Sequence, residues 1–332
     1  GNNPQSLTSR RAYDLLANGF GPGFNGPVFV AFQLDGEPAA DGLSGVPGQI
    51  AAWEGVATVS DLSYNDARTA AFLTVVPASA PQDKETGDLV HRLRNVLKGQ
   101  FAGTSVTPFV GGPSALFIDI GERINSRLPI FFGAVIGLSF LLLTAVFRSF
   151  VVAIKAAIMN LLSIGASFGI LVAIFQWGWL GGIVGVEREG PIESFLPMML
   201  FAVLFGLSMD YEVFLVSRIR EEYLHHGNNT EAVARGLSVT TRVITAAAGI
   251  MIAVFLSFSL SGQRIIKEFG IGLASAIFID ATLVRLMLVP SIMQLMGKWN
   301  WWFPSWLDRI VPRIGVDSAP GRRVEEPVAA GD

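Results

Sequence analysis

From Leu128 to Met296 the chain is a succession of long apolar runs cut by polar breaks, whereas before Leu128 apolar and polar positions alternate in much shorter stretches. A helix that crosses a bilayer needs roughly 20 mostly apolar residues. Five runs approach or exceed that length: Leu128 to Phe147, Val151 to Phe175, Ile192 to Ser217, Leu237 to Leu260 and Phe269 to Met296. The pattern therefore predicts five membrane spans. Upstream, Leu7 to Asn18 reads as a helix closed by the Gly-rich GFGPGFNGP, and VFVAFQL (Val28 to Leu34) as a strand. A helix around Pro47 to Glu54, strands at Val56 to Leu62 and Thr69 to Val76, a helix from Asp83 to Lys98 and a strand from Ser105 to Val110 complete the series. With the first helix set aside, the order is βαββαβ, that of the ferredoxin-like split βαβ motif. The Gly run follows a helix and precedes a strand, the reverse of a dinucleotide-binding loop, so it is expected to serve as cap and turn.

The fold class expected is thus an α+β membrane protein. Residues 1–127 form a ferredoxin-like domain and 128–297 a bundle of five transmembrane helices. Residues 298–316 carry Trp299, Trp301, Trp302 and Trp306 beside basic side chains, which suits an amphipathic segment at the membrane surface or a packing stub against the bundle. The tail, 317–332, has no apolar content to bury and is expected to be disordered. The chain opens GNNPQSLTSR, with neither an initiator Met nor a signal peptide, and so reads as a fragment.

Charge fixes an orientation. Arg148, Lys155, Arg218, Arg220, Arg235, Arg242, Lys298, Arg309, Arg313, Arg322 and Arg323 fall on one side of the predicted spans, against Arg188, Arg264 and Lys267 on the other. By the positive-inside rule residues 1–127 are extracytoplasmic and the C-terminus cytoplasmic. A mean hydropathy of +0.49, 51% hydrophobic and 15% charged residues agree with a membrane protein, and a net charge of -3 gives no basic surface for nucleic acid. Cysteine is absent, which excludes disulfides and thiolate chemistry. His225 and His226 sit in a polar loop and His91 on a charged stretch, without the helical spacing of a metal site, so neither metal nor other cofactor is expected.

The candidate chemistry lies within the apolar runs. Asp210, followed by Tyr211, stands on the order of 20 Å below the outer end of the third span, and Asp280 roughly 16 Å below that of the fifth, at a rise of about 1.5 Å per residue. An Asp at mid-span costs about 2.5–3.5 kcal/mol on insertion scales, so such residues usually face a protein interior and handle ions or protons. Gly206, one turn before Asp210, leaves room beside the carboxylate, and Thr241 and Thr245 bring hydroxyls from the fourth span. Arg285 follows Asp280 by five residues, off its stripe in an α-helix, so snorkelling or pairing with another helix is expected rather than an intrahelical pair. Glu212, nearer the cytoplasmic end, is expected to be solvated or to serve a helix end.

GLSMDYEVFLVSRIREE, RVITAAAGIM, IDATLVRLMLVPSIM, WNWWFPSWLDR and RRAYDLLANGFGPGFNGP resemble the C-terminal half of MMPL (mycobacterial membrane protein large) transporters, a branch of the resistance-nodulation-division superfamily. The resemblance implies two pseudo-repeated halves, of which the first, and the helix preceding the soluble domain, lie outside this chain. It implies proton-driven export of lipids or other hydrophobic compounds across a bacterial inner membrane, from an actinobacterium, with trimers among the relatives. It places the family's relay residues on Asp210, Tyr211, Asp280 and Arg285, to which the residue reading adds Thr245. The partners expected are a hydrophobic substrate, protons, the bilayer and the other half, and no catalytic residue is assigned. Two other classes compete: a lipid sensor or scaffold that does not transport, and an intramembrane aspartyl protease built on Asp210 and Asp280, whose Gly-x-Gly-Asp context is missing here.

Overall fold

The computed structural model describes residues 4–35, 42–186 and 189–304. Arg188, Trp306, Arg309, Arg313, Arg322, Arg323 and the expected 317–332 tail lie outside the described residues. The chain divides into two compact units. One comprises the residues up to Pro129 with Leu171–Met198 and Ser257–Gly270, and the other comprises Ile130–Ile170, Met199–Leu256 and the residues from Ile271 on.

In the first unit, α1 (Thr8–Phe20) ends at Gly21, whose φ of +94° suits glycine, and a single 3₁₀ turn (Pro22–Asn25) leads into strand β1 (Val28–Leu34). Gly23 lies so close to the end of the strand Ala70–Pro77 that a Cβ would clash with the Pro77 carbonyl oxygen. Helix α2 (Val46–Ala51), strands β2 (Val56–Val59), β3 (Ser63–Tyr64) and β4 (Ala70–Pro77), helix α3 (Lys84–Gln100) and strand β5 (Val106–Gly111) follow. The sheet runs β2-β4-β1-β5 with every pairing antiparallel, and β3 adds to β4. That is the strand order of the split βαβ motif. The expected third strand is thus matched by β4, while the single strand expected over Val56 to Leu62 stops at Val59 and a separate short strand begins at Ser63.

Period-two alternation buries Val28, Val30, Phe32 and Leu34 of β1, and helical spacing on α3 turns Leu89, Val90, Leu93 and Leu97 onto them. Each such side chain contributes about 1.5–3 kcal/mol when fully buried. Arg94 makes a forked pair with Asp119 and also donates to the Val110 carbonyl at 3.2 Å. That pair holds the Arg94 guanidinium above its ordinary pKa.

Among the described residues five helices are long and apolar enough to cross a membrane. They are α4 (Pro113–Phe147), α5 (Phe150–Leu171, extended by a π turn to Gln176), α6 (Leu196–His226), α7 (Asn229–Ser257) and the composite span Arg264–Trp301. The last consists of α8 (Arg264–Ile279), a π-helical stretch (Asp280–Leu288) and α9 (Val289–Met296). Helix α4 begins at Pro113, well before the apolar run, because Ser114 to Arg127 are compatible with a helix although too polar for lipid. Ser149 caps α5 by accepting from the Val152 amide at 3.1 Å, and the Asn228 side chain accepts from Thr230 at the start of α7. Gly236 of α7 lies where a Cβ would come within 3.0 Å of the Ile219 backbone of α6, so the two helices approach closely.

Candidate functional site

Helix α6 has two faces. Phe201, Leu204, Phe205, Ser208, Glu212, Leu215, Val216 and Ile219 recur at helical spacing and are buried, while Gly206, Asp210 and Phe214 form an exposed stripe on another side. Successive residues turn by about 100°, so Asp210 is rotated about 200° from both Ser208 and Glu212. Asp210 has no hydrogen-bond or ion-pair partner among the described residues.

The buried face meets α5, α7 and the π stretch at a cluster of polar side chains. Arg285, 2% exposed, donates from Nε (2.9 Å) and Nη2 (2.7 Å) to Asp280 Oδ2. Nη2 also donates to the Ser208 carbonyl and, at 3.0 Å, to Ser208 Oγ. The guanidinium lies 5.3 Å from the centre of the Tyr211 ring, and the Tyr211 hydroxyl approaches Met251 Sδ of α7 at 3.7 Å. Ser208 Oγ sits between Asp280 Oδ1, at 3.1 Å, and the side-chain amide of Asn160 from α5. A cavity of about 20 Å³, enough for one water, is lined among others by Asn160, Ser208, Tyr211, Met251, Asp280 and Arg285.

The expectation that Asp280 and Arg285 would not pair within their own helix is corrected here. Residues five apart fall on different sides of an α-helix, but the segment from Asp280 is wound with i→i+5 bonding, which brings them nearly one turn apart on one face. Glu212 is also corrected. It is 4% exposed, not solvated, because it shares the buried stripe with Ser208 one turn away. The structure brings Tyr211, Asp280 and Arg285 together and leaves Asp210 and Thr245 outside the cluster. Thr245 is exposed, and its hydroxyl donates at 2.7 Å to the Thr241 carbonyl of its own helix. Sequence reasoning missed Asn160 and Ser208, which look like filler in apolar runs. It also left Lys155 as a charge of the inner side, although Lys155 is 5% exposed.

Proton accounting shows what the cluster can do. Ser208 has one hydroxyl proton and two neighbouring acceptors, Asp280 Oδ1 and, as placed, Asn160 Oδ1. With the Asn160 amide turned, its otherwise unpartnered Nδ2 donates to Ser208, and Ser208 donates to an ionised Asp280. With Asn160 as placed, a protonated Asp280 donates to Ser208, and Ser208 donates to Asn160. The Ser208 hydroxyl thus has two donor–acceptor arrangements that differ by one proton on Asp280. Among the described residues no group of three His, Asp or Glu side chains could hold a metal ion.

The MMPL family profile matches residues 41–318, most of the chain. The chain belongs to the MMPL family. Among its relatives, membrane protein YdfJ of Bacillus subtilis is 40% identical over 310 residues, covering 93% of this chain and 42% of that protein. The mycolic acid-containing lipids exporter MmpL11 of Mycolicibacterium smegmatis is 39% identical over 314 residues, 93% of this chain and 33% of its own length. The trehalose monomycolate exporter MmpL3 of Mycobacterium tuberculosis is 35% identical over 237 residues, 68% of this chain and 25% of its own length. The chain spans less than half the length of each of these relatives. Family membership and the five apolar helices make this a membrane protein of α+β class, a half of the MMPL fold.

Proposed function

We propose that this chain forms half of a proton-driven transporter that exports lipids or other hydrophobic compounds, with Asp210, Tyr211, Asp280 and Arg285 in its proton relay. The observation that carries the relay is a buried carboxylate–guanidinium cluster within apolar helices, in which the Ser208 hydroxyl stands between two acceptors, Asp280 and Asn160. A gradient-coupled carrier needs a group of that kind, able to change its contacts as it is neutralised. Relatives named as exporters of mycolic acid-containing lipids and of trehalose monomycolate support a lipid-like cargo. Asp210 extends the relay outward. An exposed carboxylate in mid-span is too costly to leave against hydrocarbon, so its stripe, with Gly206 beside it, suits a face covered by other helices, those of the other half. Thr245, exposed on α7, then belongs to such a face and not to the cluster. In this reading residues 1–127 are extracytoplasmic and guide cargo, and the C-terminus is cytoplasmic.

A protease built on Asp210 and Asp280 is not favoured. A dyad requires two carboxylates facing each other, whereas Asp280 is bound to Arg285 and Asp210 is on the other side of α6. The test is export of a fluorescent lipid by the full-length protein in proteoliposomes under an imposed proton gradient. Asp210→Asn should abolish gradient-driven export with lipid binding retained. Export equal to wild type in that variant would remove Asp210 from the relay, and gradient-independent behaviour of the wild type would favour the sensor reading.

A further inference from the structure

Two buried charged side chains stand beside the cluster without joining it. Lys155 of α5 and Glu212 of α6 are 5% and 4% exposed, and the leading attraction on each comes from the other. Yet they make no ion pair, and neither Lys155 Nζ nor Glu212 Oε1 has a hydrogen-bond partner among the described residues. Burying an ion costs several kcal/mol, which a structural pair recovers only by closing into contact with its hydrogen bonds satisfied. An attracting pair that stops short, with a donor and an acceptor left open, has the arrangement of two groups that share a third partner.

Glu212 also feels the cluster. After Lys155, the charges acting on it are Arg285 and Asp280, both from the π stretch. Among the described residues, Lys155 from α5 and these two from the fifth span are the charged groups acting on it. It lies one turn beyond Ser208 on the same buried stripe of α6, on the side towards the basic end of that helix.

We propose that Lys155 and Glu212 form a second proton-handling station, linked by a bridging water, which passes protons between the Asp280–Arg285 cluster and the cytoplasmic end of the helices. This rests on the proton-coupled reading above. In the transfer a Glu212 carboxylate oxygen gains a proton from the water as that water's O–H bond breaks, and the water is restored by the next proton along the path. Once Glu212 is neutral, the buried Lys155 ammonium has lost its counter-charge, which favours passing a proton onward, so the station conducts and does not store.

The experiment measures proton flux and fluorescent-lipid export together, with the full-length protein in proteoliposomes containing a trapped pH dye. Glu212→Gln should reduce both by at least tenfold. The double variant Lys155→Met with Glu212→Gln removes the buried charges as a pair and should keep the wild-type melting temperature in detergent, yet stay equally inactive. Glu212→Asp, which keeps the carboxyl at a shorter reach, should retain flux with a displaced pH profile. Wild-type flux in the double variant would reduce the pair to a structural one and overturn the proposal, as would an unchanged pH profile for Glu212→Asp. If Asp210→Asn abolishes export while Glu212→Gln does not, this station falls and the proton-coupled reading stands. If wild-type export ignores the gradient, both fall.

Discussion

Replacing Asp280 by Asn should destabilise the protein sharply, because it removes one partner of a buried pair and leaves the other in place. Arg285 is 2% exposed and directs both Nε and Nη2 at a single oxygen, Asp280 Oδ2. Breaking a buried ion pair in this way costs about 3–5 kcal/mol. The Ser208 carbonyl and hydroxyl still accept from the guanidinium, and the Tyr211 ring still lies beneath it, so the lower end, about 3 kcal/mol, is expected. Removing both charges, with Asp280→Leu and Arg285→Met together, should recover most of that loss, since apolar replacement of a whole buried pair is often neutral or stabilising. Denaturation of the full-length protein in detergent, arranged as a double-mutant cycle, measures the coupling directly. An Asp280→Asn variant within about 0.5 kcal/mol of wild type would refute the reasoning. So would a double variant no more stable than the single one.

Three further outcomes follow from local geometry. Asp210→Asn should abolish export while costing less stability than Asp280→Asn, since Asp210 has no partner among the described residues of this chain; melting and transport on one preparation test both halves of that statement. Gly236→Ala should cost about 1–3 kcal/mol, because its Cβ would lie 2.7 Å from Ile219 Cγ1, and denaturant midpoints will show whether α6 and α7 can part that easily. Arg264 donates to the Glu268 side chain at 2.7 Å and to the carbonyls of Phe175 and Gly190, so Arg264→Gln should speed amide hydrogen exchange from Trp177 to Val186 without affecting β1 or β4.

Much of the fold is written in periodicity. The alternation of Val28 to Leu34 and the helical spacing of Leu89 to Leu97 report their partners because burial on one face leaves a regular trace. The five apolar runs report their number for the same reason, although α4 starts earlier than its apolar run since helix geometry does not require lipid. The site was less legible. Depth along a span can be counted from sequence, and it placed Asp210 and Asp280 at one level. Rotational position within a bundle cannot be counted when a helix is apolar on nearly all sides, so the burial of Glu212 and the exposure of Asp210 could not be separated. Asn160 and Ser208 escaped because an uncharged side chain costs little in a span and so raises no alarm. The change of winding at Asp280 has no counterpart in residue type at all.

That winding has a mechanical meaning. A helix bonded i→i+5 is a coil wound one notch slack, and here the slack spans the nine residues from Asp280 to Leu288. Were it to tighten to the α form, Arg285 would swing about a quarter turn away from Asp280, and α9 beyond it would rotate with it. In a proton-coupled carrier the bond between Asp280 and Arg285 would act as a pawl on a ratchet. It would hold the slack in while the carboxylate is charged and release it when a proton cancels that charge, so that an event of one atom would be geared to the rotation of a whole helical segment.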